Sequence, residues 1–169
     1  FSAARDWWTF RLMGHEGVAV LDGGLPRWRA EGRPLEAGGP GAAAPAPGVA
    51  PGFAPAFEPA RLADAGAVAL ALASGAAQVL DARPAARFRG EAPEPRPGLR
   101  AGHMPGALSL PFGEVLSPDG TMKDEDGLRA ALAAAGADPA RPVIATCGSG
   151  VTAAVLALAI ERLGRQAAL

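Results

Sequence analysis

The fold of this chain is decided by the stretch Val143-Ile144-Ala145-Thr146-Cys147-Gly148-Ser149-Gly150-Val151-Thr152. Residues 143–146 are apolar or β-branched, as in a buried strand, and the proline-free run that continues to residue 163 is typical of a helix. The only cysteine of the chain therefore lies between the end of a strand and the first turn of a helix. Backbone N–H groups and the positive end of the helix dipole favour a thiolate there. The stretch predicts an α/β fold that carries a nucleophilic sulfur.

A lone cysteine has a second interpretation, because free cysteine is among the most buried residue types and often only fills core volume. The neighbours of Cys147 favour reactivity. Gly148 and Gly150 allow the backbone to curl around one atom and to point several amides at it. We therefore interpret Cys147 as a nucleophile and the amides of residues 148–152 as the group that binds its negative charge.

Composition excludes several classes of function. The chain has 169 residues, of which 49% are hydrophobic and 20% charged, and its net charge is -1. This near-neutral balance points to neither a nucleic acid nor a membrane as partner, and every long apolar run is broken well before it could span a bilayer. One cysteine and two distant histidines form neither a disulfide nor a metal cluster, so we expect no cofactor. A reducing, cytoplasmic location is favoured.

Hydrophobic patterning predicts a series of helices and strands that alternate as in a parallel sheet with crossover helices. The predicted helices cover residues 2–14, 25–31, 58–66, 67–74, 125–135 and 151–163. The predicted strands cover residues 18–21, 78–81, 107–110 and 143–146, and another begins at 166–169. Functional loops of such sheets gather at the carboxyl ends of the strands, which is where Asp81-Ala82-Arg83 and Cys147 fall.

The stretch from Ala37 to Pro55 consists almost wholly of glycine, alanine and proline. It carries no charge and too few large apolar side chains for a core, so it predicts a linker. We place the boundaries at residues 1–36 for a first segment, 37–57 for the linker and 58–169 for the main domain.

Five motifs, in this order, resemble the catalytic half of a two-domain rhodanese-type sulfurtransferase. They are Asp81-Ala82-Arg83, Arg87-Phe88-Arg89-Gly90, Pro93-Glu94-Pro95-Arg96, Gly102-His103-Met104-Pro105-Gly106-Ala107 and Cys147-Gly148-Ser149-Gly150-Val151-Thr152. The last loop is similar to that of the 3-mercaptopyruvate sulfurtransferases, whereas thiosulfate-preferring rhodaneses place basic residues directly after the cysteine.

The resemblance extends to the first segment. Residues 1–36, with Trp7-Trp8 and Val20-Leu21-Asp22-Gly23-Gly24, are similar to the closing part of the non-catalytic first domain of this family. The resemblance implies that the catalytic domain, residues 58–169, lacks its last strand and helix. We expect Val18 to Glu31, the first-domain counterpart of that piece, to dock in the vacant position of the sheet.

The resemblance implies ping-pong sulfur transfer. Cys147 would take sulfur from 3-mercaptopyruvate, release pyruvate and hold a persulfide, and a small thiol, a thioredoxin-like protein or cyanide would collect the sulfur. Nothing in the sequence selects among these acceptors. Ser149 would donate a hydrogen bond to the sulfur or to pyruvate. The resemblance assigns substrate binding to Arg87, Arg96 and the loop residues Gly148, Gly150, Val151 and Thr152.

Other conspicuous side chains have structural interpretations. Arg83 follows Asp81 at a strand end and is read as its ion-pair partner at the rim of the site. His103 lies in a turn, where histidine commonly satisfies backbone groups. The tryptophans of the first segment have the spacing of helix faces and are read as packing residues.

Three rival functions remain open. Protein phosphatases and arsenate reductases share the strand-cysteine-loop-helix layout, but their longer loops end in arginine, and residue 153 is alanine. Thiosulfate sulfurtransferase is the nearer alternative, although the Gly148-Ser149 pair is neutral. The third is a non-enzymatic, truncated rhodanese-like module that binds partners.

Overall fold

The computed structural model describes residues 2–38 and 52–169, so most of the predicted linker, residues 39–51, lies outside the described residues. Within these ranges the helices are α1 Ala3–Leu12, α2 Gly24–Ala30, α3 Ala65–Ser74, α4 Ala85–Phe88, α5 Glu125–Ala134 and α6 Val151–Arg162. The strands are β1 Gln78–Asp81, β2 Leu108–Ser109, β3 Val143–Thr146 and β4 Ala167–Ala168. Two short 3-10 turns cover Pro59–Arg61 and Phe112–Val115.

The four strands form one parallel sheet in the order β2-β1-β3-β4. In its centre Gln78 lies opposite Val143 and Asp81 lies opposite Thr146. Parallel neighbours need crossover connections, which the helices supply. The predicted fold, a mainly parallel sheet flanked by helices, is confirmed, and the register brings the ends of β1 and β3 to the same edge.

Alternate side chains of the strands enter two cores. Leu80 and Ala145 face the larger core, which also receives the buried faces of α1, α5 and α6. Val79 and Ile144 face a smaller core with Ala71 from α3. Because both faces of the sheet are covered, the inner residues of β1 and β3 are apolar on both faces, and the polar side chains lie at the strand ends.

Helix α1 packs on α6 and belongs to the larger core. Trp7 and Trp8 are 6% and 3% exposed, which confirms their predicted packing role. At the other end of the contact, Arg11 donates to Glu161 over 2.6 Å, and Arg61 donates to the second oxygen of that carboxylate over 3.3 Å. Both apolar packing and a shared, partly buried carboxylate therefore fix the first segment on the helix that follows the cysteine.

Two predictions for residues 18–31 are wrong. Val18 to Leu21 form no strand, because none of the described strands pairs with them. Val18 and Val20 instead pack on the larger core, and Asp22 accepts a hydrogen bond from the Met122 amide over 2.8 Å. The segment does not dock in the sheet. Residues 61–63 lie along the side of β4 that faces away from β3. The Leu169 amide donates to the Arg61 carbonyl, and the Ala63 amide donates to the Leu169 carbonyl.

The helix predicted over residues 58–66 is also wrong, because the short turn Pro59–Arg61 and residues 65–66, which open α3, are its only helical parts. The chain leaves that turn in an extended conformation because residues 61–63 hydrogen-bond to Leu169. Helix α3 starts afresh at Ala65, where the Asp64 side chain accepts a hydrogen bond from the Ala67 amide over 2.8 Å and caps the helix.

No helix within residues 2–38 and 52–169 combines the length and the apolar character that crossing a membrane requires.

Candidate active site

The loop between β3 and α6 wraps around the sulfur of Cys147. The thiol is half-buried and packs against the larger core. The Gly150 amide donates a hydrogen bond to Sγ over 3.0 Å. Gly150 has a φ of 80°, a left-handed conformation that glycine adopts without strain, and this turn directs its N–H back at the sulfur. The chain then enters α6 at Val151, with the positive end of the helix next to Sγ.

The surroundings of Cys147 favour the thiolate. Burial raises the pKa of the thiol, but hydrogen bonds from the Thr152 hydroxyl and from the backbone amides of Ala153, Ser149 and Gly150 lower it more, so the pKa lies below the ordinary value. The Gly150 amide is the donor with a hydrogen bond of 3.0 Å to Sγ, and the other three groups add to its effect on the pKa. Of the amides predicted over residues 148–152, those of Ser149 and Gly150 take part, Thr152 acts through its hydroxyl, and the Ala153 amide is a donor that the sequence analysis did not include.

Unlike its amide, the hydroxyl of Ser149 does not contribute to the environment of the sulfur. Ser149 is exposed, and within residues 2–38 and 52–169 its side chain forms no hydrogen bond. Its hydroxyl is therefore open to a molecule that approaches Sγ from solvent.

Arg87, on α4, reaches the cysteine loop. Its Nη2 lies 3.3 Å from the point where a Cβ would stand on Gly148. The same guanidinium donates to both carboxylate oxygens of Glu94, over 3.4 Å from Nε and 2.5 Å from Nη2. The fork formed by Nε and Nη2 is thus already engaged, and Nη1 remains for an incoming group.

Glu94 is a site residue that the sequence analysis missed. Its carboxylate, whose side chain is 5% exposed, accepts hydrogen bonds from both Arg83 and Arg87. The hydrogen bond from Arg87, followed by the charge of both arginines, holds the pKa of Glu94 below its usual range. An acidic residue between arginine motifs was the available signal. Glu94 orients Arg87 over the loop.

The predicted ion pair at the end of β1 is confirmed. Arg83 donates to Asp81 over 2.6 Å, and Asp81 is 2% exposed. Arg83 also donates to Glu94 over 2.8 Å and to the Gly102 carbonyl over 2.7 Å. Arg83 therefore connects the strand end to two loops, and its donors are used within the protein.

Arg96 lies apart from this network. It is exposed, and among the described residues it forms no hydrogen bond or ion pair. Its side chain is free to meet a ligand, but no measured contact brings it to the cysteine loop. Its predicted role in substrate binding stays a prediction.

A second residue that the sequence analysis missed is Arg5, on α1. A Cβ on Gly150 would collide with Nη1 of Arg5 and would lie 3.2 Å from its Cζ. The first segment therefore contributes a cation to the loop that holds Cys147. No local sequence signal marks Arg5, since the contact exists only because α1 packs on α6.

Residues 64–169 match the family described as the rhodanese-like domain. The chain belongs to this family. The rhodanese-like match starts at the N-cap of α3 and contains both strand ends and the cysteine loop.

Two curated relatives and one solved structure illustrate the similarity of this rhodanese-like chain. The 3-mercaptopyruvate sulfurtransferase of Escherichia coli K12 is 45% identical over 163 residues, which are 96% of this chain and 56% of that protein. The 3-mercaptopyruvate sulfurtransferase of Homo sapiens is 39% identical over 98% of this chain and 54% of that protein. The crystal structure of SseA, a 3-mercaptopyruvate sulfotransferase of Escherichia coli, matches with a TM-score of 0.79 and 40% identity over 97% of this chain and 58% of that one. The chain spans little more than half the length of these relatives.

His103 satisfies a backbone group in this rhodanese-like domain, as its position in a turn predicted. Its ring stacks on Phe88, with centroids 3.7 Å apart and an interplanar angle of 12°. Its Nδ1 is hydrogen-bonded to the Phe88 carbonyl over 2.8 Å. These two contacts fasten the loop before β2 to the end of α4, so His103 supports the helix that carries Arg87.

Proposed function

We propose that the chain is the cysteine-bearing part of a sulfurtransferase that takes sulfur from 3-mercaptopyruvate. The observation that carries the proposal is the loop around Cys147, whose Gly150 amide donates to Sγ over 3.0 Å at the N-terminus of α6. This loop stabilises an anionic sulfur without a cationic side chain of its own, which suits a thiolate and the persulfide that follows it. The names of the relatives support the choice of donor.

In the first half of the reaction the thiolate of Cys147 attacks the sulfur of 3-mercaptopyruvate. A sulfur–sulfur bond forms while the carbon–sulfur bond breaks, and its electron pair stays on carbon as the enolate of pyruvate. The enolate takes up a proton and leaves as pyruvate. Cys147 retains the transferred sulfur as a persulfide, whose negative charge the loop donors stabilise.

In the second half an acceptor thiolate, or cyanide, attacks the outer sulfur of the persulfide. The sulfur–sulfur bond breaks, and its electron pair returns to Cys147 as the thiolate. The acceptor leaves as its own persulfide or as thiocyanate. The half-buried position of Sγ leaves the outer sulfur accessible to a small thiol or to a thioredoxin-like protein.

The carboxylate of the donor requires a cation, and arginine offers it two parallel hydrogen bonds. We assign this contact to Arg96 together with the open Nη1 of Arg87, which Glu94 holds beside Gly148. Ser149 donates from its exposed hydroxyl to the transferred sulfur or to the departing pyruvate.

The proposal is tested by supplying 3-mercaptopyruvate or thiosulfate with cyanide and following thiocyanate. We expect the larger kcat/KM with 3-mercaptopyruvate. A larger value with thiosulfate would assign the chain to the thiosulfate sulfurtransferases. A folded chain that produces no thiocyanate from either donor would support the non-enzymatic binding module.

The substitution Arg96→Ala is expected to raise the KM for 3-mercaptopyruvate by about tenfold, with a smaller fall in kcat, because a lost carboxylate contact weakens binding and positioning together. Steady-state kinetics measure the effect. Arg100→Ala is the matched control, since Arg100 is an exposed arginine nearby in the chain. Equal kinetic constants for the two variants would remove Arg96 from the site.

A further inference from the structure

Among the described residues that contact the cysteine loop, Arg87 is paired with an acidic side chain and Arg5 is not. Asp81 and Glu94 bind Arg83 and Arg87, so these four groups together carry no net charge. Arg5 also touches the loop, and within residues 2–38 and 52–169 its guanidinium forms neither an ion pair nor a hydrogen bond. Among the described residues that contact the loop, Arg5 is thus an uncompensated cation, whereas no contact places the equally unpaired Arg96 there.

The position of Arg5 is fixed on two sides. Its Cζ lies 4.7 Å from the centroid of the Trp8 ring, a cation–π contact. On the other side its guanidinium fills the space that a Cβ on Gly150 would need. Trp8 is itself buried, so α1 holds the cation against the loop. Arg5 is half-buried and has no anionic partner among the described residues, so its charge is available to an anion that approaches the loop.

The Arg5 cation lies close enough to Sγ to influence the charge on the sulfur. Gly150 connects the two, because its amide donates to Sγ over 3.0 Å and its Cβ position lies 3.2 Å from Arg5 Cζ. With ordinary backbone dimensions these contacts limit the Sγ–Cζ distance to about 9 Å. A positive charge at that distance, partly shielded from water, favours an anionic sulfur and attracts an approaching anion.

We propose that Arg5 is a positioning residue of the cysteine site, which supports the turn at Gly150 and draws an anionic sulfur donor towards Cys147. The proposal rests on the nucleophilic role of Cys147 given above. The proposal also gives α1 a role in the site, since this helix of the first segment places the Arg5 cation beside the cysteine loop.

Alkylation of Cys147 tests the proposal without any sulfur donor. Cys147 is the only cysteine, so iodoacetate, an anion, and iodoacetamide, which is neutral, both report on this one sulfur. In Arg5→Gln we expect the ratio of the iodoacetate rate to the iodoacetamide rate to fall about three- to tenfold. The pH at which iodoacetamide reacts at half its maximal rate is expected to rise, because the neutral glutamine no longer favours the thiolate.

Two further variants separate charge from structure. Arg5→Lys retains the charge and is expected to restore most of the ratio. Arg29→Gln removes an exposed arginine of α2 and is expected to leave the ratio unchanged. An unaltered ratio in Arg5→Gln, or an equal fall in Arg29→Gln, would overturn the proposal.

The unsubstituted chain provides a measurement that does not depend on the folding of a variant. Added salt is expected to lower the ratio of the iodoacetate rate to the iodoacetamide rate, because it screens the half-buried Arg5 cation from an approaching anion. A ratio independent of salt would refute the proposal even if Arg5→Gln failed to fold. Sulfur transfer enters none of these measurements, so the absence of thiocyanate in the donor assay would leave the alkylation result standing.

Discussion

Replacement of Cys147 by serine is expected to abolish sulfur transfer, lowering turnover of 3-mercaptopyruvate by at least about a thousandfold. A serine hydroxyl is far less acidic than a thiol and forms no persulfide. Since Cys147 is the only cysteine, no other thiol of the chain can replace it. Release of pyruvate and thiocyanate measures the loss, and mass spectrometry of the chain after exposure to the donor detects the gain of one sulfur atom.

The control for Cys147→Ser is its thermal unfolding, which should stay close to that of the unsubstituted chain because serine and cysteine are similar in size. A folded Cys147→Ser chain that still turned over 3-mercaptopyruvate would exclude a persulfide on Cys147. A folded, inactive chain that gained no sulfur would agree with the proposed function.

The central part of the fold follows from local sequence. Strands β1 and β3 were predicted at the residues where they occur. Each has an apolar centre, Val79-Leu80 in β1 and Val143-Ile144-Ala145 in β3, that is buried, so a short apolar run marks it. Helix α6 was predicted nearly to its last residue for a related reason, since an unbroken run of helix-forming residues follows Gly150.

The errors occur where hydrogen-bond partners decide the conformation. Residues 18–21 have the composition of a strand, but a strand exists only when a neighbour supplies its ladder, and among the described strands none does so. Residues 61–63 show the opposite case. A helical pattern there is overridden because the backbone bonds to Leu169 at the edge of the sheet.

Only the part of the site that consists of consecutive residues could be predicted from the sequence. The cysteine loop occupies consecutive residues, so its glycines and its cysteine could be interpreted together. The contacts of Glu94 with two arginines and of Arg5 with Gly150 depend on how separate elements pack. The contact of Arg5 with Gly150 depends on the packing of α1 against α6, so the sequence of either helix alone does not predict it.

The substitution Gly150→Ala is expected to lower kcat/KM for sulfur transfer by about a hundredfold or more, the usual effect of losing a donor that stabilises a developing anion. Gly150 has a φ of 80°, and a methyl group there would collide with the Arg5 guanidinium. The left-handed conformation alone costs an alanine about 1–2 kcal/mol. The loop must therefore move, which withdraws the Gly150 amide from Sγ and displaces the cation.

Loss of that hydrogen bond also changes the titration of Cys147. The Gly150 amide is among the donors that lower the pKa of the thiol, so its withdrawal raises the pKa, while the burial that opposes ionisation remains. Less thiolate is then present at neutral pH. The pH at which iodoacetamide reacts at half its maximal rate should accordingly move upward in Gly150→Ala.

Gly120→Ala is the matched control for backbone strain. Gly120 has a φ of 81°, close to that of Gly150, but a Cβ there would meet nothing within 4 Å. Both variants therefore carry the same conformational cost, and only Gly150→Ala disturbs Cys147 and Arg5. We expect Gly120→Ala to lose stability while keeping its kcat/KM and its alkylation profile. Equal kinetic losses in the two variants would attribute the effect to general destabilisation, and the Gly150 turn would then have no special part in holding the anionic sulfur.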